Sequence, residues 1–313
     1  MNELEQILHF LRATESKHRC DAGESALAAR ALLQVKAKTY DIKYPGLKAR
    51  EYIPMSTDTD PGAEAIAYHQ YDQYGAAKII SNNAKYLPRV DVSMAEFTSP
   101  VKTLGASYGY SWLDLKRAAR AGVPLTEMRA RAARRAIEQG IDDVMSVGDE
   151  PSGLEGFTNH SAVHIGAAGG AWSGRTALQN YTDLQTVYDL VNNQTKGIHQ
   201  VSDIIMPVSA YNFITSQPWA TTASDLTVKK FFEQNHPGCR LSSWYRLATA
   251  GAGSTTRLIA YARDPEVVEG QLPLDFEQLP PEAQALEYVV NCMARVGGVQ
   301  IRYPLAVEYV DGL

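Results

Sequence analysis

Cysteine is scarce in this sequence of 313 residues, and Cys20, Cys239 and Cys292 stand far apart with no CxxC pair. Three scattered thiols exclude the even disulfide framework of small secreted domains, and they fit a reducing compartment such as a bacterial cytoplasm. Long hydrophobic runs are also missing, since nowhere do about 18 apolar residues follow one another, as a membrane span would require. The sequence therefore predicts neither a disulfide scaffold nor a membrane-spanning helix.

Positive charge is in deficit, with 30 Lys and Arg against 35 Asp and Glu and a formal net charge of −5. A dedicated nucleic-acid-binding protein usually shows a basic stripe and a high isoelectric point, so this class is disfavoured. The charge is uneven, because residues 1–50 carry a net +3 and residues 264–313 a net −7. This asymmetry is either a chance sampling of solvated faces or a pair of complementary patches that orient neighbouring subunits.

A targeting signal is missing from the amino terminus. Leu4, Ile7, Leu8 and Leu11 recur at helical spacing, without a basic segment or a continuous apolar stretch. We therefore expect a cytosolic protein, and the start at Met1 leads us to expect no preceding segment that proteolysis removes. Residues 1–50 predict two short helical segments, of which the second, 26–38, has few apolar partners nearby and must pack elsewhere on the protein or on another chain.

The strongest helical pattern occupies residues 112–147. A first helix is predicted over 112–120, and Pro124 stands where a second helix can begin. This second helix should be amphipathic and about six turns long, with Arg131, Arg134, Arg135 and Glu138 on its polar face. The residues expected on its apolar face are Leu125, Met128, Ala132, Ala136, Ile137, Gly140, Ile141 and Val144.

Alternation with a period of two predicts strands in residues 56–110, beginning near Ile66, near Val90 and near Leu104. A two- or three-stranded ribbon is marginal alone in water and needs a surface to lie on. Few Lys or Arg residues stand among its tyrosines, which favours a protein interface or cross-strand pairing over base stacking. The tyrosines are Tyr68, Tyr71, Tyr74, Tyr86, Tyr108 and Tyr110.

The second half interleaves helical and extended patterns, which predicts an α/β domain entered through a glycine-rich stretch. Helices are predicted over 181–193, over 210–216 with Ser209 as its cap, and over 225–235. Strands are predicted over 203–209, 258–262 and 286–292. In the last twenty residues, alternation predicts a strand that bends at Gly297-Gly298, and Pro304 places this strand on a sheet edge or breaks it.

Candidate chemical sites are few. His160 and His164 have the i, i+4 spacing of metal ligands, with Asp149 and Glu150 nearby, but their flanks favour a strand or loop in which the rings diverge. The glycine-rich segments 148–156 and 166–170 match no phosphate-binding fingerprint and favour a hinge with positive φ. The pair Asp142-Asp143 resembles solvated charges, and no GxSxG motif occurs. We therefore predict no catalytic, cofactor-binding or metal-binding residue and no enzyme.

Two motifs carry a family resemblance. Residues 148–159 read Gly-Asp-Glu-Pro-Ser-Gly-Leu-Glu-Gly-Phe-Thr-Asn, and residues 295–306 read Arg-Val-Gly-Gly-Val-Gln-Ile-Arg-Tyr-Pro-Leu-Ala. Both resemble the major capsid proteins of tailed phages, which have the Hong Kong 97 fold, in the branch long filed as a domain of unknown function. The order of the predicted elements over some 250 residues strengthens this resemblance.

The resemblance implies an α+β, Hong Kong 97-like capsid fold made of five parts. These are an N-terminal arm (1–55), an extended β E-loop (56–110), a P-domain with a long spine helix and the following turn (111–164), an α/β A-domain (165–285), and a return strand of the P-domain (286–313). One relative cross-links an E-loop lysine to an asparagine of a neighbour. Lys78 and Lys85 lie in the corresponding region, but no acceptor is identifiable, and we expect no cross-link.

The implied function is that of a structural protein, which assembles itself as hexamers and pentamers into an icosahedral shell around the double-stranded DNA of a tailed phage. Its implied partners are portal, scaffolding and decoration proteins, and packaged DNA by non-specific contact. Arg131, Arg134 and Arg135 are expected to face either DNA or an acidic strand of a neighbour. The alternatives are an encapsulin-type nanocompartment shell and a soluble α/β enzyme. Its expected place is the virion, after assembly in the host cytoplasm.

Overall fold

The structure, a computed structural model, describes residues 45–79, 89–121, 125–220, 226–285 and 287–313. The chain divides into two units, Met1–Gly46 and Leu47–Leu313, and the second unit contains every element discussed below. The helices expected in residues 1–44, together with Tyr86 and Lys85, lie outside the described residues. Ala49, Tyr52 and Ile53, which fall within the segment 1–55 that the resemblance assigns to an arm, belong to the buried core of the second unit.

The helices are α1 (Ala49–Tyr52), α2 (Trp112–Ala121), α3 (Leu125–Val147), α4 (Ala177–Gln194), α5 (Val208–Ser216) and α6 (Val228–Asn235). The strands of the first half are β1 (Met55–Ser56), β2 (Ala65–Tyr74), β3 (Asp91–Pro100), β4 (Lys102–Ser111), β5 (Gly148–Asp149), β6 (Leu154–Glu155) and β7 (His164–Ala167). The later strands are β8 (Asp203–Met206), β9 (Arg240–Ser243), β10 (Arg257–Tyr261), β11 (Val268–Gln271), β12 (Leu274–Gln278), β13 (Glu282–Gln284), β14 (Glu287–Val296), β15 (Val299–Ile301) and β16 (Val307–Asp311).

The predicted long helix is confirmed as α3, but its buried face differs from the prediction. Ala133, Ile137 and Ile141 are buried, whereas Ala132 and Ala136 are exposed. The buried residues continue to Val144 and Met145 at steps of three and four, which is the period of an α-helix. The prediction placed Ala132 and Ala136 in the core. The larger Ile137 and Ile141 carry more apolar surface, so they decide which face of the helix is buried.

A four-stranded sheet, in which β14 lies between β4 on one side and β12 and β13 on the other, packs on α3. Strand β4 pairs with β14 over ten antiparallel positions, from Ser111 opposite Glu287 to Lys102 opposite Val296. Strand β4 therefore belongs to this sheet. It is not a third strand of the predicted ribbon, although it directly follows β3 in the sequence and shows the same alternation. Val290, Cys292 and Ala294 of β14 face the core.

A five-stranded sheet of order β7-β16-β10-β8-β9 forms the second half together with α4, α5 and α6. Helix α4 begins with a capping box between Thr176 and Gln179, and Thr227 caps α6. Helix α5 begins at Val208 after Pro207, so the prediction that Ser209 caps it is wrong. Pro207 fixes an extended backbone there, and the helix starts one residue beyond it.

The carboxyl terminus does not form one return strand. Strand β14 ends at Val296, Gly298 turns the chain with a φ of 71°, and β15 pairs with β11 in a separate sheet. A short 3₁₀ turn beginning at Pro304 then breaks the extended chain, as predicted for this proline. Strand β16 finally lies between β7 and β10, in the interior of the five-stranded sheet. The segment 286–313, which the resemblance assigns to one return strand, is thus divided among β14, β15 and β16.

Asp142 joins three parts of the second unit. Its side chain is buried and accepts a hydrogen bond from the Ala49 backbone N–H at 2.8 Å and another from Arg246 Nε at 2.9 Å. Arg246 also donates to the neighbouring Asp143, whose side chain is half exposed. One carboxylate on α3 thus holds both the segment at which the second unit begins and the turn after β9.

We expect the Asp142→Ala substitution to destabilise the protein by about 3 kcal/mol or more, because it leaves Arg246 and a backbone N–H without their buried acceptor. The matched control is Asp143→Ala, which removes an adjacent carboxylate from the same arginine at an exposed position. The control should cost less than about 1 kcal/mol. Urea unfolding curves of both variants measure the difference, and equal losses would contradict the role given to Asp142.

The buried Glu308 on β16 predicts an unusual dependence of stability on pH. Its side chain is fully buried, Oε1 lies 2.6 Å from Nδ1 of the exposed His164, and Oε2 has no hydrogen-bond partner among the described residues. Burial raises the pKa of Glu308 above its ordinary 4.5, and the hydrogen bond from His164 opposes this shift. Because the folded pKa is the higher one, the contribution of Glu308 to stability is complete below the unfolded pKa and is lost as the pH rises through the folded pKa.

Glu308→Gln keeps an acceptor for His164 and cannot ionise. We expect this variant to melt at a higher temperature than the parent protein at about pH 8 and to lose that advantage at about pH 4. Glu277→Gln, an exposed carboxylate on β12, serves as the control and should change the melting temperature little at either pH. An advantage of Glu308→Gln that is the same at both pH values would show that ionisation is not the cause.

Candidate functional site

The largest exposed element of the second unit is the ribbon, defined as β2 (Ala65–Tyr74) and β3 (Asp91–Pro100). The two strands pair antiparallel over ten positions, from Ala65 opposite Pro100 to Tyr74 opposite Asp91. None of their residues is buried. At about 3.3 Å per residue, the ribbon is about 33 Å long.

One face of the ribbon carries a group of exposed apolar side chains near its far end. Tyr71 pairs with Met94, and Val92 follows on the same face, because residues two apart in a strand share a face. The exposed fractions are 67% for Tyr71, 59% for Met94 and 57% for Val92. Large apolar side chains grouped at such exposure mark a contact surface for another protein. We call these three residues the apolar tip.

The base of the ribbon is fixed to the second unit. Ser99 Oγ donates to the Gly297 carbonyl at 2.7 Å, and the Val101 N–H donates to the Glu64 carbonyl at 2.8 Å. The guanidinium of Arg302 lies 5.6 Å from the centre of the Tyr68 ring, and Arg302 is in turn paired with Glu269. The apolar tip is therefore held out from a defined base.

The structure separates the predicted tyrosine group. Tyr68 stacks on Phe97 across the ribbon, with ring centres 5.3 Å apart, as predicted for a cross-strand pair. Tyr110 stacks on Tyr288 of β14 at 5.8 Å, because β4 belongs to the four-stranded sheet. Tyr71 and Tyr74 remain as the exposed tyrosines of the ribbon.

A groove of about 840 Å³ lies between the base of the ribbon and the turn that follows α3. Its lining includes Tyr68 and Gln70 of the ribbon, residues 159–162, and Arg302, which follows β15. The groove and the role of Arg302 were not predicted. No local pattern could reveal them, since the lining residues come from segments more than 200 positions apart.

The two histidines that have the spacing of metal ligands, His160 and His164, do not converge. His160 Nε2 lies 2.9 Å from Glu155 Oε2, whereas His164 Nδ1 lies 2.6 Å from Glu308 Oε1. His164 begins strand β7, so the i, i+4 spacing is not on a helix. Among the described residues, no three His, Cys, Asp or Glu side chains are grouped so that they could hold a metal ion.

The glycine-rich turn after α3 is a hinge with positive φ, as predicted: φ is 81° at Gly148 and 71° at Gly153. A Cβ on Gly156 would lie 2.3 Å from the carbonyl carbon of Val147, so the two chain segments can touch only at glycine. The N–H groups of Phe157 and Thr158 then bond to the last carbonyls of α3. The turn therefore ends the helix and directs the chain into the five-stranded sheet.

Arg131, Arg134 and Arg135 of α3 are exposed, as predicted. Arg131 lies 3.7 Å from Glu127 and Arg134 lies 2.8 Å from Glu138, both as i, i+4 pairs on the same helix. Such exposed pairs contribute little to stability, so these guanidinium groups remain available for a further anion. None of the helices in the described ranges combines the length and apolar character needed to cross a bilayer.

Comparisons with known proteins bear on this arrangement. The capsid of Myoviridae phage XM1 is similar in structure with a TM-score of 0.81 and 18% identity, covering 91% of this chain and 98% of that one. The capsid of an empty GTA particle has a TM-score of 0.64 and 10% identity, covering 94% and 99%. A virus-like particle from Pyrococcus furiosus has a TM-score of 0.50 and 11% identity, covering 83% and 91%.

At these identities the similarity shows a common fold, and it confirms the expected α+β capsid fold at that level. None of the curated proteins matches the sequence. The family model described as major capsid protein matches residues 75–313, which is well over half of the chain. The chain therefore belongs to the major capsid protein family.

Proposed function

We propose that this major capsid protein assembles with copies of itself, as hexamers and pentamers, into the icosahedral shell that encloses the double-stranded DNA of a tailed phage. The observation that carries the proposal is the ribbon, whose apolar tip is exposed along a strand pair that has no core of its own. A neighbouring copy would supply the missing cover. The protein would then be found in the virion, after assembly in the cytoplasm of the host.

The parts of the fold suit this role when assigned as the resemblance implies. The ribbon would be the E-loop, α3 the spine helix, the sheet of β4, β12, β13 and β14 the P-domain sheet, and the five-stranded sheet with its helices the A-domain. Residues 1–46 would form an arm that also contacts neighbours. Many modest contacts of this kind become strong together, because each one raises the effective concentration for the next.

The remaining partners follow from charge. Arg131 and Arg134 stand on the exposed face of α3, where they would meet either packaged DNA through its phosphates or an acidic strand of a neighbour. Portal, scaffolding and decoration proteins would complete the particle. We propose no enzymatic activity, cofactor or covalent cross-link.

The encapsulin-type alternative shares the fold and differs in its contents. The TM-score of 0.50 to a virus-like particle, against 0.81 to a phage capsid, supports the phage assignment. A soluble α/β enzyme would need a cleft with a reactive cluster. The groove of about 840 Å³ instead holds Glu155 bonded to both His160 and Ser161, so these three polar side chains satisfy one another.

The first test is negative-stain electron microscopy of the purified full chain, with mass photometry on the same sample. We expect closed shells or rings of five and six subunits. A monomer or dimer that persists as the protein concentration is raised would contradict self-assembly. Nucleic acid within the shells would support the phage capsid, whereas a protein cargo would support the nanocompartment.

A second test compares two adjacent residues on opposite faces of the ribbon. Met94→Lys places a charge in the apolar tip, and we expect shell yield to fall at least tenfold because the ammonium would be buried against a neighbour. Ser93→Lys, the matched control, places the same charge opposite Asp72 on the other face and should assemble normally.

Both positions are exposed in the single chain, so each variant should keep its monomer stability within about 0.5 kcal/mol. Electron microscopy and urea unfolding on the same preparations separate assembly from folding. Normal shells from Met94→Lys would remove the apolar tip from the proposed interface.

A further inference from the structure

His160 lies in the wall of the groove, on the segment between β6 and β7, and it has no part in the proposed assembly. Its side chain is only 10% exposed, and Nε2 lies 2.9 Å from Glu155 Oε2. Its Nδ1 accepts a hydrogen bond from the Ala162 backbone N–H at 3.2 Å. A ring nitrogen that accepts a hydrogen bond carries no proton, so these two contacts define a neutral His160 with its proton on Nε2.

Protonation of the ring would break this arrangement. Nδ1 would become a donor facing the Ala162 N–H, which is also a donor, so the turn over residues 160–162 would lose the bond that closes it. Burial lowers the pKa of His160 below its ordinary 6.5, and the nearby Glu155 carboxylate opposes the shift. Because the folded pKa is the lower one, the stabilisation from neutral His160 is complete above pH 6.5 and is lost as the pH falls through the folded pKa.

The charged and titratable groups around His160 come from several elements. Glu155 is the last residue of β6. Tyr309 of β16 places its hydroxyl 3.4 Å from the His160 backbone nitrogen. Arg257 of β10 donates to the Thr158 carbonyl and is paired with Asp311. The remaining groups are Glu150 and Arg302, which line the same groove, and His164 with Glu308, which pair next to it on β7 and β16.

Two of these groups lie against His160 itself. Burial holds the pKa of Tyr309 far above its ordinary value, so the phenol stays neutral. Glu155 is the carboxylate in contact with the His160 ring, and its charge favours the protonated form without relieving the conflict at Nδ1.

We propose that His160 is an acid-sensitive switch in the wall of the groove, whose protonation opens the turn over residues 160–162. Tyr68 of the ribbon lines the same groove, and its ring lies beside Arg302, so the opening changes the groove at the base of the ribbon. The inference rests on the proposed function only in treating the ribbon as the assembly surface.

The test is hydrogen–deuterium exchange of the unassembled full chain at about pH 7.5 and about pH 5.5, corrected for the intrinsic exchange rate and read on peptides that cover residues 157–166. We expect protection in the wild type to fall about tenfold for each pH unit between the ordinary histidine pKa of 6.5 and the lower folded pKa of His160, and to level off below the folded pKa. The His164→Asn variant, which removes the other histidine of the same segment, should show the same fall.

His160→Asn is the decisive variant. An asparagine oxygen can accept from the N–H two residues onward, as in an Asx turn, and it does not titrate. We therefore expect this variant to keep its protection at both pH values. Protection of the wild type that is unchanged between the two pH values, or a fall in His160→Asn as large as in the wild type, would overturn the proposal.

The exchange measurement still decides the proposal if the variant does not fold or if no shells form. Should His160→Asn fail to fold, the wild type measured at several pH values still decides, because exchange that does not follow a single titration overturns the proposal. Since the chain is measured before assembly, an absence of shells in electron microscopy would contradict the proposed function without touching this result. An absent pH response would in turn leave the shell proposal standing.

Discussion

The carboxylate of Asp142 is the contact on which the arrangement of the second unit most depends. It accepts from the Ala49 backbone and from Arg246, and it stands on α3 one turn before Ser146. Ser146 Oγ donates back to the Asp142 carbonyl, and the Ser146 carbonyl accepts from Thr158. A single turn of helix thus joins the start of the second unit, the turn after β9 and the glycine-rich turn. Since the carboxylate is buried, each partner it holds would be costly to leave unpaired.

The glycine-rich turn explains how α3 can pack on the four-stranded sheet and also be connected to the five-stranded sheet. Phe157 is fully buried against Tyr261 of β10, with ring centres 4.9 Å apart, and its carbonyl accepts from the Tyr309 hydroxyl. Arg257 reaches the next carbonyl, that of Thr158. The motif that carries the family resemblance in sequence is therefore the place where the end of α3 is bonded to the five-stranded sheet. Its glycines permit the close approach, and its aromatic residue provides the packing.

Local patterns predicted the elements of this fold well and their pairing poorly. The period of α3 and the alternation of β2, β3 and β4 follow from side chains a few positions apart, which sequence displays directly. The assignment of β4 to β14 and of β16 to the interior of the five-stranded sheet depends on partners more than 100 positions away. The groove was invisible for the same reason. The positive φ at Gly148 and Gly153 was predictable, because glycine adopts positive φ at a helix end without steric cost.

The length of the ribbon has a mechanical consequence. Ten residue pairs span about 33 Å, so a rotation of about 10° about the base would carry the far end through about 6 Å. The anchoring contacts, Ser99 with Gly297 and Tyr68 with Arg302, would change by only a fraction of that distance, because they lie close to the pivot. In the proposed shell, a small rotation of the ribbon about its base would let identical subunits contact their neighbours at both the flat and the curved positions of a closed surface.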